Sequence, residues 1–175
     1  DGVPITTLID LASGTHVRHY FAGPAETSML LSSTAGYGFT AKASDMTART
    51  RGGKSFITLD EGDEPLMPKP ITSNDSAIAC LSEKGRLLVF GMEEIKTLTA
   101  GGRGVILMEL EKGEKLLAAQ PISQRGVIVS GAGRGGKAQD VMLSASGLAV
   151  HIGKRARKGK ALEAKIKPAS LAPQK

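Results

Sequence analysis

Apolar residues in this chain come in short runs, each closed by a glycine or a cluster of acids. Runs of this length fit strands buried by neighbouring layers, because a core helix needs a longer apolar periodicity. Thr27–Ser33 predicts a strand, Thr34-Ala35-Gly36 its turn, and Tyr37–Ala41 the strand that pairs back. The same order recurs in Ala77–Leu81, the Glu83-Lys84-Gly85 turn and Arg86–Phe90. After the first hairpin, polar Asp45–Lys54 predicts a crossing loop, Phe56–Leu59 a strand, Asp60–Glu64 a turn and Leu66–Ile71 a returning strand. After the second, Met92–Leu98 predicts a short helical turn and Thr99–Gly104 the loop. Val105–Leu110, the Glu111–Glu114 turn and Lys115–Ile122 then complete the order.

The ends read less clearly. Val3–Leu11 and His16–Phe21, parted by Gly14, predict two further strands. Beyond Ile122, Val127–Ser130 and Ala149–Ile152 predict strands around a glycine-rich loop, Ser130–Gln139. The stretch RKGKALEAKIKPASLAPQK loses the apolar pattern.

These segments are copies of one another. SFITLDEGDEPLMPKPI matches GVILMELEKGEKLLAAQPI, and GVPITTLIDLASGTHVRHYF is a looser copy. Gly62 and Gly113 lie 51 residues apart, and Gly36 and Gly85 lie 49 apart. A period near fifty with strand-type composition means one small sheet per repeat. Such a sheet cannot bury its own faces, so neighbours must stack. The expected fold is all-β: a propeller-like array of about three to five four-stranded antiparallel blades.

Composition adds detail. Aromatic residues make up only 3%, so aliphatic side chains must supply the core; 22 Gly and 8 Pro fit a chain of many turns. A chain of 175 residues is expected to form one domain. The expected boundaries are 1–165 for the folded domain and 166–175 for a disordered tail. Beginning in mid-repeat, the chain reads as an excised piece of a longer protein. One cysteine, Cys80, excludes an internal disulfide and fits a buried residue in a reducing cytoplasm. No apolar run approaches the ~18–20 residues of a membrane-spanning helix.

Charge is uneven: residues 1–150 carry a net −1 and residues 151–175 a net +7. A basic zone beside acidic turns suits a polyanion that touches one face. Three glycine-rich loops repeat the basic character: Arg49-Thr50-Arg51-Gly52-Gly53-Lys54, Gly101-Gly102-Arg103-Gly104 and Arg134-Gly135-Gly136-Lys137. Glycines let a backbone approach a phosphate, and the flanking Arg and Lys supply charge and donors. The densest basic run follows His151, with Lys154, Arg155, Arg157, Lys158 and Lys160. Lys42, Lys96 and Arg125 complete the set of candidate DNA-contacting residues. Tyr20 and Tyr37 are the only tyrosines and tryptophan is absent, which disfavours base stacking and points to the phosphate backbone of a duplex. Catalysis has little support: His16, His19 and His151 form no metal-ligand pattern, and no phosphate-binding P-loop spacing occurs.

The pattern of strand, KG-type turn, strand, GGRG-like loop and then ITLDEGDEPL or ILMELEKGEKLL resembles the C-terminal DNA-wrapping domain of bacterial type IIA topoisomerase A subunits. The pair GGRGVILMELEKGEKLLAAQPI and the late hairpin GLAVHIGKRARKGK are more similar to the topoisomerase IV branch (ParC) than to the gyrase branch. Gyrase carries an intact box of glutamine, two arginines, two glycines, lysine and glycine. Here only fragments stand: Arg49–Lys54 followed by Ser55, Gln124-Arg125-Gly126, and Arg134–Lys137. The resemblance implies a β-pinwheel with an exchanged strand, whose basic outer rim holds and bends double-stranded DNA without sequence preference. It implies a role in presenting the transported DNA segment and in tuning decatenation and supercoil preference. It also implies partners, namely the ATPase subunit (ParE) together with the N-terminal region of the polypeptide that carries this domain, and a bacterial, cytoplasmic, nucleoid-associated location. No cofactor is expected in this domain; ATP and Mg2+ are implied for the holoenzyme, whose catalytic residues lie elsewhere. The gyrase wrapping domain and a protein-interaction propeller with an incidental basic tail are the competing readings, and a propeller-based enzyme is a third.

Overall fold

The computed structural model describes residues 2–123 and 125–174. In chain order the strands are β1 (Ser28–Ser32), β2 (Tyr37–Lys42), β3 (Lys69–Pro70), β4 (Ala77–Ser82), β5 (Arg86–Gly91) and β6 (Val105–Ile106), followed by β7 (Leu116–Ile122), β8 (Gly126–Ala132), β9 (Ala138–Ser144), β10 (Lys160–Ala161) and β11 (Lys167–Pro173). One short helix, α1 (Ala145–Leu148), follows β9.

Three hairpins form the centres of three sheets: β1–β2, β4–β5 and β8–β9. Each turn ends on a glycine in the left-handed region, Gly36, Gly85 and Gly136. The sheet orders are β3-β1-β2-β6, β10-β5-β4-β7 and β11-β8-β9. All pairings between these strands are antiparallel, as expected for propeller-like blades. The order shows strand exchange. β6 follows the second hairpin in sequence yet completes the first sheet, and β10 follows the third hairpin yet completes the second. Beside β9 no fourth strand stands among the described residues.

Stacking explains why the central strands read as unbroken apolar runs. Residues 78 and 80 of β4 and 88 and 90 of β5 join Leu30, Leu107 and Met108 in a core between the first and second sheets. Residues 79 and 81, with 87 and 89, join Val127, Val129, Leu148 and Leu171 between the second and third. Period-2 alternation is present, but both faces are buried, so the hydropathy pattern does not show it. Cys80 is fully enclosed, and that burial pushes its thiol pKa up.

Several expectations are corrected: Phe56–Leu59 holds only the isolated bridge of Ile57 to Gly102, Leu66–Ile71 is reduced to β3 and Val105–Leu110 to β6. Val3–Leu11 holds only a 3-10 turn, Ile5–Thr7, and His16–Phe21 is not a strand. Neither segment joins a sheet ladder, and Val3, Leu8 and Phe21 stay exposed. Ser130–Gln139 is not one long loop: β8 runs to Ala132 and β9 starts at Ala138, joined by a tight turn. Ala149–Ile152 is a 3-10 turn over Ala149–His151, continuing α1, whose cap is the Ser144 hydroxyl accepting from the Gly147 N–H. The buried residues there, Leu148 and His151, are three apart, which is helical spacing rather than strand spacing. Within 166–175, Lys167–Pro173 is β11, paired along β8. A bulge between Pro168 and Ser170 puts the buried Pro168 and Leu171 three apart and hides the alternation.

Candidate nucleic-acid interface

The lent strands place the basic loops. Before β6, Thr97 makes a parallel bridge to Thr40 on the free edge of β2, and before β10, Ile152 makes the same bridge to Val89 on β5. The Leu98 N–H then donates to the Thr40 carbonyl at 2.9 Å and the Gly153 N–H to the Val89 carbonyl at 2.8 Å. From there the chain bulges outward and returns to the same edge in the antiparallel sense as β6 or β10. The bulges are Thr99–Arg103 and Lys154–Lys158. Each therefore projects from the outermost strand of its sheet.

The glycine ending each bulge is required by close approach. Gly104 and Gly159 have φ of +86° and +70°. A Cβ on Gly104 would collide with the Gly38 carbonyl, and one on Gly159 would lie 2.6 Å from the Leu87 carbonyl. Gly53, at φ +71°, stands at the same place before Lys54-Ser55-Phe56. The third loop of the row is thus Lys154–Gly159, the segment read from sequence as a basic tail hairpin. Arg134 and Lys137, grouped with the loops by composition, stand in the β8–β9 hairpin turn instead. That turn is equivalent to Thr34–Gly36, since the Gly133 N–H donates to the Lys137 carbonyl as the Ser33 N–H does to that of Tyr37.

Each loop is bonded to the unit before it. The Gly102 N–H donates to the Phe56 carbonyl at 2.9 Å, and the Thr58 N–H donates to the Gly102 carbonyl at 3.0 Å. One unit later, the Ala156 N–H donates to the Leu107 carbonyl at 3.0 Å, and the Glu109 N–H donates to the Arg157 carbonyl at 3.1 Å. At the start of the chain, the Asp10 N–H donates to the Arg51 carbonyl at 3.0 Å. Each loop therefore rests on the segment that follows the preceding loop, and the three form a continuous row along one edge of the stack.

The cations in this row are anchored, and not all are free. Arg49, Lys154 and Arg157 are placed at the loop tips and are exposed. Arg51 donates to the Thr7 carbonyl at 2.6 Å and lies 3.6 Å from Asp10. Lys54 donates to the Asp45 carbonyl, with its ammonium 5.3 Å from the Phe56 ring centroid. Arg103 pairs with Asp60 and stacks over Tyr37 at 5.2 Å. Arg155 reaches the Ile106 carbonyl, and its backbone N–H donates to Glu94 at 2.9 Å. Lys158 lies 3.9 Å from Glu109. Lys160, at the start of β10, is exposed.

The other predicted residues lie elsewhere. Lys42, at the end of β2, is 2.7 Å from Glu26, whose carboxylate holds the ammonium above its ordinary pKa. Lys96 stands one residue before the Thr97 bridge, next to the row. Arg125 is exposed between β7 and β8, and its neighbour in the box fragment, Gln124, lies outside the described residues.

One residue important to the row escaped sequence reading. Arg86 donates to Glu114, to the Lys158 carbonyl and to the Glu109 carbonyl, tying the third loop to the second unit. Both members of the Arg86–Glu114 pair are largely buried. Burial alone would raise the Glu114 pKa, but hydrogen bonds from Arg86, Ser82 and the Glu111 N–H overcome it and hold the pKa at about 2. Asp63 has the matching role in the preceding unit, accepting from Thr34 and the Ala35 N–H at 2.8 Å. Its pKa, too, is lowered by these bonds against the opposing effect of burial. The signal for Arg86 was its place in the KGRL turn, where the first unit has AGYG.

Among the described residues no group of His, Cys, Asp and Glu is placed to hold a metal ion, and no helix is long and apolar enough to cross a membrane. The arrangement offers a line of anchored guanidinium and ammonium groups, which is chemistry suited to phosphates.

Known proteins share this architecture. The family model described as DNA gyrase C-terminal domain, beta-propeller, matches residues 27–64 and 77–123. The A subunit of DNA topoisomerase 4 from Neisseria gonorrhoeae is 33% identical over 167 residues, covering 93% of this chain and 21% of that protein. Its counterpart of the same name from Escherichia coli K12 is 30% identical over 155 residues, covering 88% of this chain and 18% of that protein. The chain thus spans about a fifth of the length of these relatives. Among solved structures, the E. coli ParC C-terminal domain superposes with a TM-score of 0.85 at 24% identity, covering 98% of this chain and 70% of that one. A DNA gyrase A C-terminal domain gives 0.75 at 17%, covering 98% and 58%. These superpositions show that the fold is the β-pinwheel of such domains.

Proposed function

We propose that this chain, which belongs to the family of DNA gyrase C-terminal β-propeller domains, binds the phosphate backbone of duplex DNA along its loop row, as the DNA-holding portion of a topoisomerase IV A subunit. The observation that carries this reading is the bonding of each loop to the segment that follows the preceding loop, which sets Arg51, Arg103, Arg157 and Lys158 in succession. A bent duplex belongs to this reading, because bending would bring more phosphates within reach of the row. The aromatic side chains at the row, Tyr37 beside Arg103 and Phe56 beside Lys54, each already carry a cation over the ring and are not offered to a base, so the grip is sequence-independent. In the parent enzyme the domain would present the transported segment and tune decatenation and supercoil preference. Catalysis, ATP and Mg2+ would belong to the remainder of that polypeptide and to its ATPase partner, in a bacterial cytoplasm at the nucleoid.

The test is anisotropy of a short mixed-sequence duplex titrated with the protein across a range of salt. Log affinity is expected to fall linearly with log salt. Arg157→Gln should flatten the slope by about 0.9 for every phosphate that its side chain had neutralised, and Arg51→Gln, Arg103→Gln and Lys158→Gln should each weaken binding. Absence of binding at low salt, or affinity indifferent to all four changes together, overturns the reading and favours a protein-interaction propeller. In the full enzyme, deleting the domain should abolish the decatenation preference while leaving DNA cleavage intact.

A further inference from the structure

The loop cations meet carboxylates at a repeating position. Arg51 lies 3.6 Å from Asp10, Arg103 pairs with Asp60, and Lys158 lies 3.9 Å from Glu109. In each case the acid comes from the segment on which that loop rests, so the pairing recurs with the structural repeat. Asp60 and Glu109 are 49 residues apart, and Asp10 and Asp60 are 50 apart. All three acids keep more than half of their side-chain surface exposed. An exposed pair gives little stability, so holding the fold together does not account for the recurrence.

We propose that Asp10, Asp60 and Glu109 are built-in competitors of the DNA phosphate, which occupy the loop cations in the free protein and set the affinity and salt response of the row. The inference rests on the DNA-binding reading above. A phosphate that takes Arg103 must displace Asp60, and the released carboxylate then takes up a cation from solution. Each pair therefore cancels roughly one unit of counterion release, and the salt slope is shallower than the number of phosphate contacts implies. The row binds less tightly than its charge would allow and lets go more readily, which suits a surface that must release a passing duplex. Arg49 and Arg157, without a carboxylate partner among the described residues, are left to make first contact.

Two isosteric changes one residue apart separate this role from a general charge effect. Asp60→Asn frees Arg103, whereas Glu61→Gln removes the same charge from an exposed turn residue that pairs with no cation among the described residues. Asp60→Asn is expected to tighten duplex binding about two- to fivefold at low salt, the scale of one exposed ion pair. It should also steepen the salt slope by about 0.9, and adding Glu109→Gln should steepen it by about as much again. Glu61→Gln is expected to tighten binding less and leave the slope unchanged. Weaker binding by Asp60→Asn would mean that the acid positions Arg103 for DNA, and this overturns the inference, as does an unchanged slope. If the unaltered protein binds no duplex, the DNA reading itself fails. A wild-type protein that binds, beside an Asp60→Asn variant that responds like Glu61→Gln, sinks the competitor role alone. Unchanged thermal unfolding of the variants excludes misfolding as the cause.

Discussion

Arg86 and Glu114 show how one buried pair can support an exposed surface. The guanidinium serves the Glu114 carboxylate and two backbone carbonyls at once, so removing it leaves three acceptors without that donor. Arg86→Ala is therefore expected to destabilise the protein by about 3–5 kcal/mol, the cost of stranding a buried charge, which a denaturant titration would measure. The pair also dictates a pH response. Glu114 has its pKa lowered to about 2 in the folded state, from an ordinary value of 4.5. Stability from this group is complete above the ordinary value and drains away as pH falls towards the folded one. Arg86→Ala, having already lost the interaction, should show a shallower decline over the same range. An unaltered decline would show that other carboxylates govern acid unfolding.

Among elements, the loop is where sequence and structure diverged most instructively. The hairpins were legible because Gly36 and Gly85 follow apolar runs at a fixed distance. The row was only half legible. Arg134-Gly135-Gly136-Lys137 has the composition of a loop copy but the position of a hairpin turn, and position depends on which strand edge lies beside it. Lys154–Gly159 has little loop-like glycine content, yet it lies before the lent strand β10. Strand exchange is a long-range property, and local composition does not carry it. Backbone geometry at the row gives a test with opposing signs. Gly104→Ala must both adopt a left-handed φ and push against the Gly38 carbonyl, so a loss of more than about 2 kcal/mol is expected. Ala156 already sits at φ +62°, and Ala156→Gly should gain about 0.5–1 kcal/mol. Thermal unfolding of the two variants checks both directions, and a gain from Gly104→Ala would refute the steric account.

For the whole molecule, exchange couples the sheets. The second sheet owns three of its strands and borrows β10 from the unit beyond, so the third unit supplies both a strand of its neighbour and the third loop of the row. That makes the end of the chain structural, contrary to what its Pro, Ala, Ser and Lys composition implied. β11 lies along β8 from Lys167 to Pro173, and Leu171 is packed with Val127, Val129 and Leu148. The apolar signal of this strand is two residues, Pro168 and Leu171, displaced by a bulge, which is too little for any periodic pattern to reveal. Leu171→Ala removes a well-packed side chain from the core between the second and third sheets and is expected to cost about 2–5 kcal/mol. Ending the chain at Ile166 strips the whole strand, uncovers the β8 edge and should melt the third sheet first. Because β10 and the third loop hang on that unit, local melting should also lower duplex affinity, even though residues 167–175 contribute few of the row's charges. Limited proteolysis followed by mass analysis would locate the loss. Cleavage is expected at Arg155, Arg157 and Lys158 in the shortened chain well before cleavage at Arg86 or Arg103. Equal protection of the loops in both chains would mean that the sheets stand independently and that exchange does not transmit stability along the stack.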